Sequence, residues 1–277
     1  MEFSAKKESV LFVNERLLNG SERDRVLKFV AYLREAFDLP EGFRMHSVNS
    51  FPSNCGLGSS TSAFAALALA SVTAAKRQIT GEMLGCIAGR GSLTAGSSVI
   101  GGISCSRPGT RGVHAQPFRE LHPEKLPIKV VGVAIQSKRI CEEIHRQARG
   151  SPLYSVIDQI VEVQASNVIE AMGASDWASV GELVETNVAL NHALISTGPT
   201  RLSVWTPLTM AVMDKVKQLR DRTKARGFYA LNSGPSIFVY VHREDADRVK
   251  EYLARFGLPL FESRIGGGAI PTEHHLF

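Results

Sequence analysis

Cysteine and aromatic residues are scarce in this chain. The four cysteines, Cys55, Cys86, Cys105 and Cys141, are widely spaced and form no C-x-x-C pair. That spacing argues against a zinc centre and against a disulfide framework, and it points to a reducing cytoplasm. Aromatics make up 7% of the residues and include two tryptophans. The interleaved aromatic and basic positions on which single-stranded nucleic acid stacks are therefore missing. Long apolar runs are missing too. The most apolar stretch, Ala63–Ala75, is broken by Ser71 and Thr73 and falls short of the roughly 20 residues that span a bilayer. Met1–Ser9 is polar and charged, unlike a secretory signal. No Gly-Lys-Ser/Thr stands in the chain, which excludes a Walker loop. Charge of one sign is modest: 32 Lys and Arg against 27 Asp and Glu leave a net +5. That balance suits an anionic metabolite and does not demand nucleic acid. The expectation is a cytoplasmic protein with a small-molecule ligand, no membrane, no nucleic acid and no metal-ligating side-chain cluster.

What is present reads as alternating helices and strands in an ordinary globular composition, with 44% hydrophobic residues over 277 positions. Ser9–Asn14 and Phe43–Val48 read as strands. Between them, Val26, Phe29, Val30, Leu33 and Phe37 recur at helical spacing behind Ser21. Ser59 to about Lys76 reads as a buried Ala-rich helix, and Thr80 caps another that runs to Gly89. Arg107–Pro127 holds four prolines and reads as a surface excursion and a domain seam. Lys129–Gln136 is a β-branched strand. Helices are expected near 139–149, 154–172, 177–194 and 207–226, then strands at 228–231 and 237–241, a helix at 244–256 and a strand at 260–265. Strands and helices do not alternate strictly. The fold class is therefore α+β in two domains, 1–127 and 128–277.

Three glycine-containing stretches carry chemistry. The first is Pro52-Ser53-Asn54-Cys55-Gly56-Leu57-Gly58-Ser59-Ser60-Thr61-Ser62, which runs straight into the Ala-rich helix. Gly56 and Gly58 allow tight backbone bends, and the first N–H groups of a helix lack internal partners. With the helix dipole and the hydroxyls of Ser53, Ser59, Ser60 and Ser62, they form a phosphate cradle that needs no side-chain charge, and one hydroxyl can serve Mg²⁺. A glycine turn before a helix cap reads the same residues without a ligand. The second stretch, Arg90-Gly91-Ser92-Leu93-Thr94-Ala95-Gly96-Ser97, sets hydroxyls beside a cation that suits an anion. A capped short helix is the alternative there. The third, Asn232-Ser233-Gly234-Pro235-Ser236, is a turn between strands.

Together these stretches resemble the GHMP superfamily of small-molecule kinases, whose phosphate loop matches Pro52-x-x-x-Gly56-Leu57-Gly58-Ser59-Ser60. Within it the chain is similar to the mevalonate diphosphate and phosphomevalonate decarboxylases. The likeness is carried by Ser47-Val48-Asn49-Ser50-Phe51-Pro52, Phe64-Ala65-Ala66-Leu67-Ala68, Arg90-Gly91-Ser92-x-Thr94, Gly101-Gly102, Gly198-Pro199 and Trp205-x-Pro207-x-Thr209. It implies an N-terminal domain like ribosomal protein S5 domain 2 and a C-terminal GHMP-type α+β domain. It also implies ATP and Mg²⁺ as cofactors, a mevalonate phosphate ester as substrate, and a homodimer. The implied reaction phosphorylates the tertiary 3-hydroxyl and then releases phosphate and CO₂ to give an isopentenyl phosphate ester, in isoprenoid biosynthesis.

By the resemblance, Ser53, Gly56, Gly58, Ser59, Ser60 and Ser62 hold the nucleotide. Arg90, Ser92 and Thr94 face the substrate, and Asn232 and Ser97 occupy the catalytic positions. Three departures accompany this. The chain begins several dozen residues into the family pattern, without the Lys-, Tyr- and Trp-rich first strand. Asn232 stands where the family has the Asp that orients or deprotonates the 3-hydroxyl. Ser97 stands where the family has the Arg that grips the carboxylate. An amide accepts no proton, and a serine supplies no bidentate charge. A 3-hydroxyl kinase that stops at phosphorylation, or an inactive relative that only binds, are the alternatives. Lys138 and Arg139 read either as a phosphate contact or as a solvated helix start.

Overall fold

The computed structural model describes all residues except 7, 52–55, 110–111, 119–122, 137–140, 258 and 274–277. Ser53, Lys138, Arg139 and Cys55 lie outside the described residues. The chain forms two compact units. One takes most of the first 126 residues together with a stretch from Ile265 onward; the other takes Pro127–Arg264 together with Gly56 and Leu57.

The first unit contains β1 (Glu2–Ser4), β2 (Ser9–Val13), β3 (Arg16–Leu17), α1 (Gly20–Phe37), β4 (Gly42–Ser47), α2 (Ser59–Ala74), α3 (Gly81–Gly91), α4 (Ala95–Ile100), β5 (Ser104–Gly109) and β6 (Gly112–Pro117). Its main sheet has the order β1-β4-β2-β3, with β2 and β4 parallel and the other pairs antiparallel. A parallel pair needs a crossover, and α1 is that crossover. The periodic α1 residues Phe29, Val30 and Leu33 are buried with Leu11, Phe43, Phe64, Leu67 and Ala68 in one core. The Ala-rich sequence of α2 matters here because short side chains let it sit deep among its neighbours.

Two segments of this unit differ from their sequence expectation. Arg107–Pro127, expected as an irregular excursion, contributes to a two-stranded hairpin of β5 and β6. Pro108 is tolerated there because a two-stranded ladder is all edge. The C-terminal domain was expected to run to 277, yet the chain after Arg264 belongs with the first unit. Gly102 N–H donates to Gly266 O at 2.8 Å, and Ala269 N–H donates to Val99 O at 3.1 Å. A methyl on Gly101 would stand 2.0 Å from Gly268 N, so only glycine permits this pairing.

The second unit contains β7 (Ile128–Val133), α5 (Cys141–Arg149), α6 (Tyr154–Gly173), α7 (Trp177–Ser196), α8 (Pro207–Thr223), β8 (Gly227–Ala230), β9 (Ile237–His242), α9 (Ala246–Ala254) and β10 (Leu260–Arg264). Its sheet is antiparallel in the order β10-β7-β9-β8. Val131, Val133, Ile237, Val239 and Val241 point into a core shared with Val212, Val216 and Leu219 of α8 and Val249 and Leu253 of α9. The alternation of buried and half-buried residues along β9 is the period of a sheet with one covered face.

Candidate active site

The site is built on the N-terminus of α2. Three other helices close their first turn with a side chain: Thr80 for α3, Asp176 for α7 and Thr206 for α8. Helix α2 does not. Its N-cap is Gly58, which has no side chain, at φ +81°, and its first turn holds no acidic residue. The opening amides of α2 thus keep their donor capacity and their partial positive charge for an external anion. Ser62 Oγ donates to Ser59 O at 3.1 Å, so its proton serves the helix. Ser60 Oγ is buried and has no partner among the described residues. A buried hydroxyl without a partner is costly unless a ligand supplies one. The residues of the cradle therefore fit a phosphate and its cation.

The second Gly/Ser stretch is drawn to the same helix end. Its first two residues end α3, and Ala95–Ser97 open α4. Thr94, the residue before α4, caps nothing with its side chain; its Oγ1 instead meets Thr61 Oγ1 at 2.7 Å. Ser97 lies on α4 with its Oγ 3.2 Å from Ser106 Oγ of β5. Ser92 ends α3, its N–H donating to Ala88 O. Arg90, in the last turn of α3, is exposed, with its guanidinium carbon 5.2 Å from the centre of the Tyr32 ring. Thr94 and the phosphate helix are thus joined by a hydrogen bond. Arg90 makes a cation–π contact, a role its sequence context did not suggest.

Beside α2 lies a cavity of about 140 Å³. Val13, Met45, Phe64 and Leu67 supply apolar walls, and His46, Ser47 and Asn49 supply polar ones. The tip of the β2–β3 hairpin shapes this wall. Asn14 and Glu15 both have positive φ, and Asn14 Oδ1 accepts from Asn49 N–H at 2.7 Å. Glu15 reaches His46 Nε2 at 2.8 Å. Sequence reasoning missed this group. The only hint was an Asn-Glu pair between two apolar runs, a turn signal without a stated function.

The third glycine-containing stretch forms the turn between β8 and β9 in the second unit. Asn232 is exposed, whereas Gly234, Pro235 and Ser236 are buried. Gly56, at φ +84°, packs directly on this turn; a methyl on it would stand 2.6 Å from Gly234 Cα. Gly56 and the turn therefore meet backbone to backbone, an approach that glycine at position 56 allows. Ser236 Oγ accepts from Ile135 N–H at 2.9 Å and lies 3.3 Å from Ile135 O. Thr209 Oγ1 donates to Pro235 O at 3.0 Å from within the core. Sequence reasoning placed Ser236 in the turn but gave neither its bond to Ile135 nor the bond from Thr209.

The uncapped, glycine-led helix of the first unit and the buried Gly-Pro turn of the second are two of the features that carried the GHMP resemblance. The comparisons narrow the class. Residues 1–116 match the diphosphomevalonate decarboxylase-like N-terminal domain. Phosphomevalonate decarboxylase of Haloferax volcanii is 28% identical over 262 residues, covering 95% of this chain and 81% of that protein. A solved complex of MDDEF with MVAPP, AMPPCP and magnesium superposes with a TM-score of 0.89 at 25% identity, over 96% of this chain and 84% of that one. A mevalonate diphosphate decarboxylase from Enterococcus faecalis superposes with a TM-score of 0.84 at 26% identity, over 95% of this chain and 83% of that one. Residues 1–116 thus carry a diphosphomevalonate decarboxylase-like N-terminal domain, and nearly the whole chain is similar to mevalonate decarboxylases.

Proposed function

We propose that this protein is a cytoplasmic, ATP-dependent decarboxylase of a mevalonate phosphate ester, acting in isoprenoid biosynthesis. The observation that carries the reading is the uncapped N-terminus of α2, with its partnerless Ser60 hydroxyl, in a chain similar over nearly its whole length to a phosphomevalonate decarboxylase. Gly56, Gly58, Ser59 and Ser60 hold the nucleotide phosphates, and Ser60 Oγ faces the cation. The cavity walled by Val13, Phe64, Ser47 and Asn49 takes the base: its apolar walls suit a flat ring, and its polar edge suits the ring's hydrogen-bonding groups. Mg·ATP supplies the phosphoryl group that turns the tertiary 3-hydroxyl into a leaving group. Thr94, Ser92 and Arg90 serve the substrate, and Asn232 orients the 3-hydroxyl through its amide.

A second reading is favoured by Asn232 and Ser97. With neither a carboxylate base at the turn nor a guanidinium for the substrate carboxylate, phosphorylation without loss of CO₂ is the chemistry that loses least. One incubation separates the two. Mevalonate, its 5-phosphate and its 5-diphosphate are each mixed with the protein and Mg·ATP, and ADP and CO₂ are followed separately. Equal yields support the decarboxylase, ADP alone supports the kinase, and neither product with any substrate refutes both. The protein is further proposed to act as a homodimer. The exposed apolar row Leu153, Val156, Ile160 and Val163 along α6 supports association of two copies.

A further inference from the structure

We infer that Thr209 is a positioning residue for the active-site turn, acting through the carbonyl of Pro235. The inference rests on the reading that this turn faces the reacting hydroxyl. Thr209 is fully buried, and so is Ser236 beside its target. Thr209 occupies the third position of α8 and takes part in a capping box: Thr206 N–H donates to Thr209 Oγ1 at 3.2 Å, and Thr209 N–H donates to Thr206 Oγ1 at 3.0 Å. The two hydroxyl oxygens also stand 2.9 Å apart.

Proton counting orders this network. A hydroxyl has one proton to give. The carbonyl of Pro235 is a pure acceptor, so Thr209 gives it the proton at 3.0 Å. The contact between the two hydroxyls must then run from Thr206 to Thr209. Thr209 Oγ1 therefore uses its proton and both lone pairs, and every member of the box is directed toward the turn. A capping box satisfies the amides of its own helix. This one also carries a strand-side carbonyl 26 positions further along the chain.

Pro235 has no N–H. Gly234 is pressed against Gly56 with no side chain to hold it, and Ser236 is tied to Ile135 of the segment after β7. If the Thr209 bond goes, the Pro235 carbonyl is buried without a donor, and the turn must shift to find one. Asn232 and the Gly56 contact would move with it. Displacements of about 1 Å at a reacting centre cost up to roughly 10²-fold in rate.

The test compares Thr209→Val, Thr209→Ser and Thr206→Val in the full chain. Thr209→Val keeps the volume and removes the hydroxyl. Thr209→Ser keeps the hydroxyl. Thr206→Val removes the cap but leaves the Pro235 bond. Each is assayed for kcat and KM of ADP release, for thermal midpoint, and for amide hydrogen exchange in the 231–236 segment. Thr209→Val is expected to lower kcat about 10-fold or more and to speed exchange in 231–236. Thr209→Ser is expected to restore both. Thr206→Val is expected to lower the thermal midpoint while kcat and the exchange of the turn stay near the parent values. If Thr206→Val and Thr209→Val lose kcat in proportion to their stability, Thr209 is only a cap and the inference falls. Should Thr209→Val fail to fold, Thr209→Ala replaces it in the same comparison, and a Thr209→Ser variant as slow as the hydroxyl-free one overturns the inference. A different result marks failure of the underlying functional reading: Asn232→Ala leaves turnover unchanged while exchange in the Thr209 variants responds as expected.

Discussion

At the scale of single residues, the proposed function gives Asn232 the deciding position. Its amide can fix a hydroxyl but cannot take a proton, and it adds no negative charge beside a cation developing at C3. Asn232→Asp is therefore expected to raise CO₂ release relative to ADP release. Adding Ser97→Arg is expected to raise it more than additively, because both groups act on one substrate. The check is the ratio of the two products under saturating substrate; an unchanged ratio with ADP still forming removes the turn from the reacting centre. Gly56 offers a second test at this scale. Its φ of +84° disfavours any side chain, and the added methyl would stand 2.6 Å from Gly234 Cα. Left-handed backbone costs a non-glycine residue roughly 1–2 kcal/mol, and relieving the clash costs more. Gly56→Ala is expected to weaken Mg·ATP binding by about 10-fold or more while the circular dichroism of the helices is retained. The glycines of the phosphate loop were legible in the sequence because an L side chain is strained at positive φ. The partner of Gly56 was not legible, since nothing local marks Gly234 as its neighbour.

At the scale of elements, a stacked pair links α7 to the segment before α8. The His192 ring lies 3.6 Å from the Trp205 indole, with the planes 5° apart. Burial lowers the His192 pKa to about 4 from an ordinary 6.5, and its Nδ1 is buried without a partner among the described residues. The folded protein thus holds His192 neutral, while the unfolded chain protonates it below 6.5. Between those two values the unfolded state binds the extra proton, so stability is full above 6.5 and falls as the pH drops toward 4. His192→Phe keeps the stack and removes the titration. It is expected to flatten the loss of thermal midpoint across that window, as measured by thermal denaturation at several pH values. The helices themselves were legible from their spacing: Thr80 and the Thr206-Pro207 pair mark two starts that α3 and α8 do take. Within 90–102 a short helix was one of two readings of the sequence, and α4 takes it, although six residues of Ala, Gly, Ser, Val and Ile carry too little periodicity to fix its bounds. The hairpin in 104–117 was hidden by its prolines, which a two-stranded ladder accepts.

At the scale of the whole molecule, the apolar row on α6 bears on assembly. Val156 and Val163 are 54% and 62% exposed, as part of a row one and two helical turns long rather than as isolated side chains. A homodimer that buries this row is expected to dissociate in Val163→Glu without loss of thermal midpoint at low concentration. Light scattering across a dilution series reads this; a parent protein that is monomeric at every concentration overturns the dimer. The sequence by itself determined the α+β class, the helix that follows the glycine loop, and the orphan amides at its start. All of these follow from local backbone freedom, periodicity and orphan N–H groups. Only the tertiary structure decided which distant residues meet. Thr61 meets Thr94 across 33 positions, Gly56 rests on Gly234, Thr209 holds Pro235, and the chain after Arg264 returns to the first unit. Such pairs are set by how cores pack and how sheets are ordered, and no local pattern in the chain encodes a distance between residues so far apart.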